Sequence, residues 1–172
     1  MSIIKTHDIA LYGEDDTPDS LRAKKEYHCR LTRDEYINNR RFKVSADKIF
    51  ELPIADIKPS QLYISEGKLR LVNEWFDPTD KTEFDPIPIK RYNNSYLMTD
   101  GHTRAVAAIL AGWDTVPVTW DDDPLDMLAY AVYVKWCDDE KICSAYDLTK
   151  RIIPHKDYEV LWLKRCFYME NS

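Results

Sequence analysis

Strand-like and helix-like segments alternate between residues 49 and 120, and this alternation constrains the fold more than any other feature of the chain. Runs rich in β-branched and aromatic residues predict strands, whereas an apolar residue at every third or fourth position predicts an amphipathic helix. The predicted strands are 49–57, 86–92, 95–99 and 115–120. The predicted helices between them are 65–76 and 104–112. Such alternation is typical of an α/β domain, so residues 46–122 are predicted to form one α/β unit.

Asparagine, glycine and proline mark the ends of these segments. The dipeptide Asn93-Asn94 predicts a tight hairpin turn, because asparagine tolerates positive φ. Gly112 is the predicted C-cap of the second helix. Pro86 and Pro88 donate no backbone hydrogen bond. Their strand is therefore expected either at a sheet edge or with those positions turned away from the ladder.

Both flanks of the α/β unit are predicted to be helical. Residues 1–45 are the most polar part of the chain and form a predicted N-terminal extension with a loop at 11–20. Helices are predicted to start at Thr17 and Thr32 within it. Residues 123–172 are predicted to form a C-terminal helical extension that packs on the same domain.

The C-terminal extension contains three predicted helices. Asp123 is the predicted N-cap of the first, and Ser144 and Pro154 open the other two. The apolar residues expected to face the core are Leu125, Leu128, Ala129, Val132 and Trp136 in the first helix and Tyr158, Leu161, Trp162 and Cys166 in the last. The short helix, turn and longer helix have the order of a DNA-binding helix-turn-helix, but the aromatic stripe of the last helix favours a packed helical cap.

Charge and composition disfavour several classes of protein. Lys and Arg number 24 against 30 Asp and Glu, so the net charge of −6 disfavours DNA binding, although a local basic patch stays open. No apolar run approaches the ~20 residues of a membrane span, and the start MSIIKTHDIA lacks the layout of a signal peptide, so we expect a cytoplasmic protein without a membrane partner. The four cysteines contain no C-x-x-C pair and the four histidines are scattered, which disfavours disulfides and a zinc site.

The segment TDGHTRA, residues 99–105, predicts an anion site at the start of the second helix. Gly101 stands where the backbone turns from strand to helix, just before amide groups and a positive dipole end that favour an anion. His102 and Arg104 are cations in the first turn, where the dipole disfavours them unless they serve a bound negative group, and Thr103 adds a hydroxyl. The alternative is a structural arginine paired with a carboxylate such as Asp100.

Three segments in order, IADIKPSQL, PIPIK and YLMTDGHTRAVAAILAGWDTVPV, resemble the ParB/sulfiredoxin superfamily over roughly residues 46–122. The resemblance implies a small mixed sheet with packed helices, in which a G-x-x-R turn and the following helix hold nucleotide phosphates. Gly101, His102, Thr103 and Arg104 occupy that turn here.

The turn differs among the branches of this superfamily. Sulfiredoxins resemble G-C-H-R, with a cysteine where this chain has His102, so the sulfinic-acid reductase activity lacks its nucleophile. ParB partition proteins resemble G-E-R-R-x-R-A, and this chain lacks the extra arginines. The D-G-H-H-R turn of ParB-like free serine kinases is the most similar, with Thr103 in place of the second histidine.

The resemblance implies a nucleotide-dependent phosphotransferase, or a nucleotide hydrolase, that acts on a small hydroxyl-bearing molecule with ATP, ADP or another nucleotide and Mg²⁺. Glu66 stands where those kinases carry the glutamate that acts on the hydroxyl, although a glutamate after a Ser65 cap also stabilises a helix dipole. Asp100 is the candidate Mg²⁺ ligand and, with His102, completes the candidate catalytic set. Asp121, which follows the last strand, is read as part of a solvated helix cap. The alternative functions are a nucleotide-responsive regulator that binds DNA or protein without catalysis, and a domain used only for protein contact.

Overall fold

The computed structural model describes residues 44–172, so the helices predicted to start at Thr17 and Thr32 lie outside the described residues. Five strands form one mixed sheet, and their bounds are β1 Phe50–Pro53, β2 Ile57–Lys58, β4 Ile87–Tyr92, β5 Ser95–Met98 and β6 Thr115–Trp120. Their order in the sheet is β1-β6-β4-β5-β2. A separate parallel pair joins β3 Ile64–Ser65 to β7 Ile152–Ile153. The β1–β6 and β4–β5 pairs are antiparallel, whereas β4–β6 and β2–β5 are parallel. The predicted α/β class with a mixed sheet is confirmed.

Helices complete the fold. Their bounds are α1 Glu66–Trp75, α2 His102–Leu110, α3 Met127–Asp139, α4 Ala145–Leu148, α5 His155–Tyr158 and α6 Arg165–Glu170, with a π-helical stretch Glu159–Lys164 between α5 and α6. Short 3₁₀ turns lie at Ala46–Lys48, Ile54–Asp56 and Lys81–Glu83. Helix α2 packs against α1 and α4, and its small residues Ala105 and Ala108 are fully buried. No helix in residues 44–172 is long and apolar enough to cross a membrane.

The predicted strand 49–57 is broken in two. The 3₁₀ turn separates β1 from β2, and these strands lie at opposite edges of the sheet. Because only three residues join the two edges, the sheet must curl until its edges approach each other. Ile54 and Ile57, on either side of the bend, are fully buried, so the break points both isoleucines into the core.

The hairpin between β4 and β5 has the predicted turn. Asn93 and Asn94 have φ values of 45° and 62°, as a two-residue type I′ turn requires. Of the two arrangements expected for this strand, the edge position is wrong, because β4 lies in the middle of the sheet. Pro86 precedes the strand, and only Pro88 lies inside it.

The buried face of α3 differs from the predicted stripe. Asp126, not Asp123, is the N-cap, and its carboxylate accepts hydrogen bonds from the amides of Leu128 and Ala129. Leu128 is 83% exposed, and the buried residues are Ala129, Tyr130, Tyr133, Val134 and Cys137. The helix lies between the sheet and the last helical segment, so aromatic residues that contact both neighbours are buried instead of one aliphatic stripe.

The last helical segment buries Tyr158, Trp162 and Cys166 as predicted, but Leu161 is 45% exposed. The π-helical stretch gives the reason, since its wider turn shifts the angular position of the residues it contains. Trp162 stacks edge-on against Tyr133 and Trp136 of α3. These contacts are those of a packed helical cap.

Candidate functional site

Gly101 begins α2 in a conformation that other residues rarely adopt. It is the N-cap of the helix, with φ of 80° and no side-chain cap. A Cβ atom at this position would lie 2.6 Å from Arg104 Nη2 and 2.8 Å from Ile87 Cδ1. Glycine is therefore required both by the positive φ and by the close approach of the arginine.

Arg104 lies inside the protein, with 3% of its surface exposed, and its guanidinium forms an ion pair with the buried carboxylate of Asp85. Asp100, the carboxylate partner suggested from sequence, accepts a 2.6 Å hydrogen bond from the Gly101 amide. Asp85 lies in the loop before β4, 19 residues from Arg104, and no sequence pattern linked the two.

His102 is buried and holds the loop after β2. Its Nε2 accepts a 3.0 Å hydrogen bond from the backbone amide of Ser60. Since an amide can only donate, Nε2 carries the lone pair and the proton of the neutral ring sits on Nδ1. Ser60 Oγ donates to the carbonyl of Met98, 2.7 Å away, so the β2 loop, the end of β5 and the start of α2 form one connected unit.

Thr103 has a buried hydroxyl without a partner. The residue is 3% exposed, and no described residue forms a hydrogen bond with Oγ1. Leaving a buried hydroxyl unbonded costs about 1–3 kcal/mol. Such an atom in the first turn of a helix is available to a water molecule or to a ligand.

Thr99 and Asp121 join the ends of β5 and β6 beside this turn. Thr99 Oγ1 donates to Asp121 Oδ2 at 2.7 Å, so Asp121 is not the solvated cap residue that the sequence suggested. The hydroxyl of Tyr130 in α3 donates to the Thr99 carbonyl at 3.0 Å. Burial, followed by the negative charges of Asp100 and Asp121, raises the pKa of Tyr130 far above its ordinary value. The phenol therefore keeps its proton at physiological pH and can donate this hydrogen bond.

Glu66 is exposed, unlike these buried groups. It is the exposed first residue of α1, a helix that packs beside α2. The hydroxyl of Ser65 caps this helix by accepting from the Lys68 amide at 3.2 Å, as predicted, and also bonds His155 Nδ1 at 2.7 Å. The structure thus gathers Asp100, Gly101, His102, Thr103 and Arg104 in one buried turn and places Glu66 on the surface of the neighbouring helix.

The described residues contain no group of three or more histidine, cysteine, aspartate or glutamate side chains able to hold a metal ion. A Mg²⁺ ion at Asp100 would accordingly take its remaining ligands from phosphate oxygens and water, as Mg²⁺ commonly does with nucleotides.

A polar cleft of about 230 Å³ lies elsewhere, between the β4–β5 hairpin and α3, with Lys58, Tyr92, Lys135 and Asp138 in its wall. An ion pair of 2.6 Å joins Lys58 to Asp138 there. None of the predicted site residues lines this cleft.

No protein-family model matches this chain, and neither a curated protein nor a solved structure matches it. The resemblance of residues 46–122 to the ParB/sulfiredoxin superfamily therefore stays a prediction, carried by the motif residues themselves.

Tyr130 and Asp85 are the site residues that sequence reasoning missed. Tyr130 lies on a helix whose pattern predicts only core packing, so the sequence did not single it out. The available signal was Pro88, because a proline within a strand leaves one backbone acceptor of the neighbouring strand without its usual amide donor. Asp85 precedes Pro86 in a segment predicted only as a loop, and it gave no such signal.

Proposed function

We propose that this protein binds a nucleotide through its phosphates at the N-terminus of α2 and uses it as a phosphotransferase or nucleotide hydrolase. The observation that carries the proposal is the buried, unpartnered hydroxyl of Thr103 in the first turn of a helix whose glycine N-cap offers no side-chain oxygen. A phosphate oxygen would accept from this hydroxyl and from the first amides of the helix, and it would lie at the positive end of the helix dipole.

The charges around the turn favour a nucleotide complexed with Mg²⁺ over a bare anion. Arg104 forms an ion pair with Asp85, and the carboxylates of Asp100 and Asp121 lie close enough to Tyr130 to raise its pKa, so negative charge beside the turn disfavours free phosphate. A divalent cation between the Asp100 carboxylate and the phosphates would reverse this repulsion. Mg²⁺ is thus proposed as a co-ligand, with ATP or ADP as the first nucleotides to examine.

The proposed reaction moves a phosphoryl group to a hydroxyl of a small molecule, or to water. Such chemistry depends on an anchored donor, charge neutralisation and an acceptor hydroxyl held in line. Glu66 is the proposed group that orients the acceptor, because it is an exposed carboxylate at the start of the helix beside α2. His102 is proposed as a residue that positions the turn, because its Nε2 accepts a hydrogen bond from the backbone amide of Ser60.

Thr103→Val is the variant that tests the site most cleanly. Arg104→Ala would break the buried ion pair with Asp85, a change that destabilises proteins by about 3–5 kcal/mol and would confound a binding measurement. Valine keeps the shape of threonine and removes only a hydroxyl that has no protein partner. We expect the variant to be at least as stable as the wild type and to bind MgATP or MgADP at least tenfold more weakly, because a hydrogen bond to a charged group contributes about 1.5–3 kcal/mol.

Calorimetric titration with MgATP, MgADP and each nucleotide without Mg²⁺ measures this affinity, and Thr119→Val in β6 is the matched control. Equal affinity of the wild type and Thr103→Val would contradict the proposed site. An absence of nucleotide binding by the wild type would contradict the proposed function. Binding without phosphoryl transfer or hydrolysis would leave the nucleotide-responsive regulator as the better description.

A further inference from the structure

The sheet has a gap in its hydrogen bonding directly beside the proposed nucleotide turn. In the β4–β5 ladder the partners are Tyr92 with Ser95, Lys90 with Leu97 and, one step past the ladder, Pro88 with Thr99. The Thr99 amide donates to the Pro88 carbonyl at 3.1 Å, which makes the last pair a hydrogen-bonded one. In such a pair both residues exchange N–H···O bonds, and proline has no N–H to return.

Tyr130 fills this gap from a different element. Its hydroxyl donates to the Thr99 carbonyl at 3.0 Å, the acceptor that an ordinary residue at position 88 would serve. Thr99 is 1% exposed and Tyr130 is 3% exposed, so water does not replace the bond. Since the carbonyl is buried, loss of the phenol hydroxyl would leave it unbonded.

We propose that Tyr130 is a positioning residue for the nucleotide-binding turn, and that through it the C-terminal helix α3 controls the geometry of the site. The Thr99 carbonyl lies two residues before Gly101, where the chain leaves β5 and enters the left-handed conformation that starts α2. A backbone acceptor fixed at this point limits the orientations of the next peptide groups. The proposal rests on the proposed function only for its ligand, because the bond and the gap it fills belong to the protein alone.

The proline makes a rescue experiment available. Tyr130→Phe keeps the buried ring and removes the donor, whereas Pro88→Ala restores a backbone amide opposite Thr99. Tyr133→Phe is the matched control on the same helix, because the Tyr133 hydroxyl bonds Glu170 in the last helix and not the turn.

Amide hydrogen exchange of the full-length protein without ligand is the first measurement. We expect the amides of residues 100–104 to exchange about tenfold faster in Tyr130→Phe, to recover in the Pro88→Ala/Tyr130→Phe double variant, and to keep the wild-type rate in Tyr133→Phe. Unchanged exchange in Tyr130→Phe, or a double variant as fast as the single one, would overturn the proposal.

Titration with MgADP is the second measurement and separates the two proposals. We expect Tyr130→Phe to bind several-fold more weakly than the wild type and the double variant to regain affinity. A role limited to global stability would lower affinity without rescue at position 88, and this result also overturns the proposal. If the wild type binds no nucleotide, the proposed function fails, while the exchange data still decide whether Tyr130 orders the turn.

Discussion

At the scale of single residues, two glycines with the same backbone conformation have different surroundings. Gly101 precedes the first residue of α2 and has a φ of 80°, and Gly112 follows the helix and has a φ of 92°. A Cβ at Gly101 would collide with Arg104 and Ile87, whereas a Cβ at Gly112 would meet nothing within 4 Å. The first glycine thus serves both backbone conformation and packing, and the second serves only the end of a helix.

Alanine substitution should separate these two roles. Gly112→Ala is expected to lower the free energy of unfolding by about 1 kcal/mol, the cost of a left-handed non-glycine residue. Gly101→Ala is expected to lower it by at least about 2 kcal/mol, because overpacking against Ile87 and the Arg104 guanidinium adds to the same backbone strain. Urea unfolding of both variants measures the difference. Equal losses would contradict the close approach seen at Gly101.

At the scale of elements, the start of a helix depends on its N-cap residue, and the sequence contains more than one candidate N-cap for α3. The segment 121–126 contains four aspartates, and Asp123 before Pro124 has the usual order of an N-cap and first helical residue. The structure begins the helix three residues later, at Met127, with Asp126 as the cap. Tertiary contacts of Tyr130 and Tyr133 with the sheet turn and the last helix select this start.

Removing each of the two candidate caps should give unequal effects. Asp126→Ala is expected to lower the free energy of unfolding by about 1 kcal/mol, because two amides in the first turn of α3 lose their acceptor. Asp123→Ala is expected to retain the cap contribution, since both amides keep Asp126 as their acceptor. Thermal or urea unfolding of the pair measures the difference, and a larger loss for Asp123→Ala would restore the cap predicted from sequence.

At the scale of the whole molecule, α3 and the last helix contribute buried phenol and thiol groups to the packed interior. Burial raises the pKa of the Cys137 thiol from 9.0 to about 12, with a smaller contribution from the charge of Asp138. Burial also raises the pKa values of Cys166 and Tyr133 far above their ordinary range. All these groups are neutral in the folded protein at physiological pH, which suits a packed layer and makes the two thiols unreactive.

The raised pKa values of these buried groups predict a loss of stability at alkaline pH. A raised pKa means that the folded state holds its proton after the unfolded state has lost it, so the stabilisation is complete below pH 9 and is lost as pH rises toward 12. Each such group contributes a slope of up to about 1.4 kcal/mol per pH unit in this window. Urea unfolding between pH 7 and 11 should show the decline.

Cys137→Ala should reduce the alkaline slope, whereas Cys143→Ala, which changes an exposed thiol, should not. The cavity left by Cys137→Ala lowers stability equally at every pH, so the slope reports the titration alone. An identical slope in wild type and Cys137→Ala would show that the thiol does not titrate as its burial requires.

The sequence by itself determined the features that depend on residues a few positions apart. The strands of the hairpin and β6, the asparagine turn, the Ser65 and Ser144 caps and the left-handed Gly112 all follow from local rules for backbone conformation and capping. The candidate site at residues 100–104 was predicted in the same way, since a glycine, a hydroxyl and two basic residue types at a helix start form a local pattern.

The tertiary structure alone decided the partners of that turn. His102, Tyr130 and Arg104 bond to groups 42, 31 and 19 residues away along the chain, and no local rule selects such pairs. Tertiary structure also decided three features of the fold. These are the interior position of Pro88 in the sheet, the division of residues 49–57 between two sheet edges and the buried face of α3. Each depends on which surfaces the folded chain brings together, because burial and long-range hydrogen bonds outweigh local preference wherever the two compete.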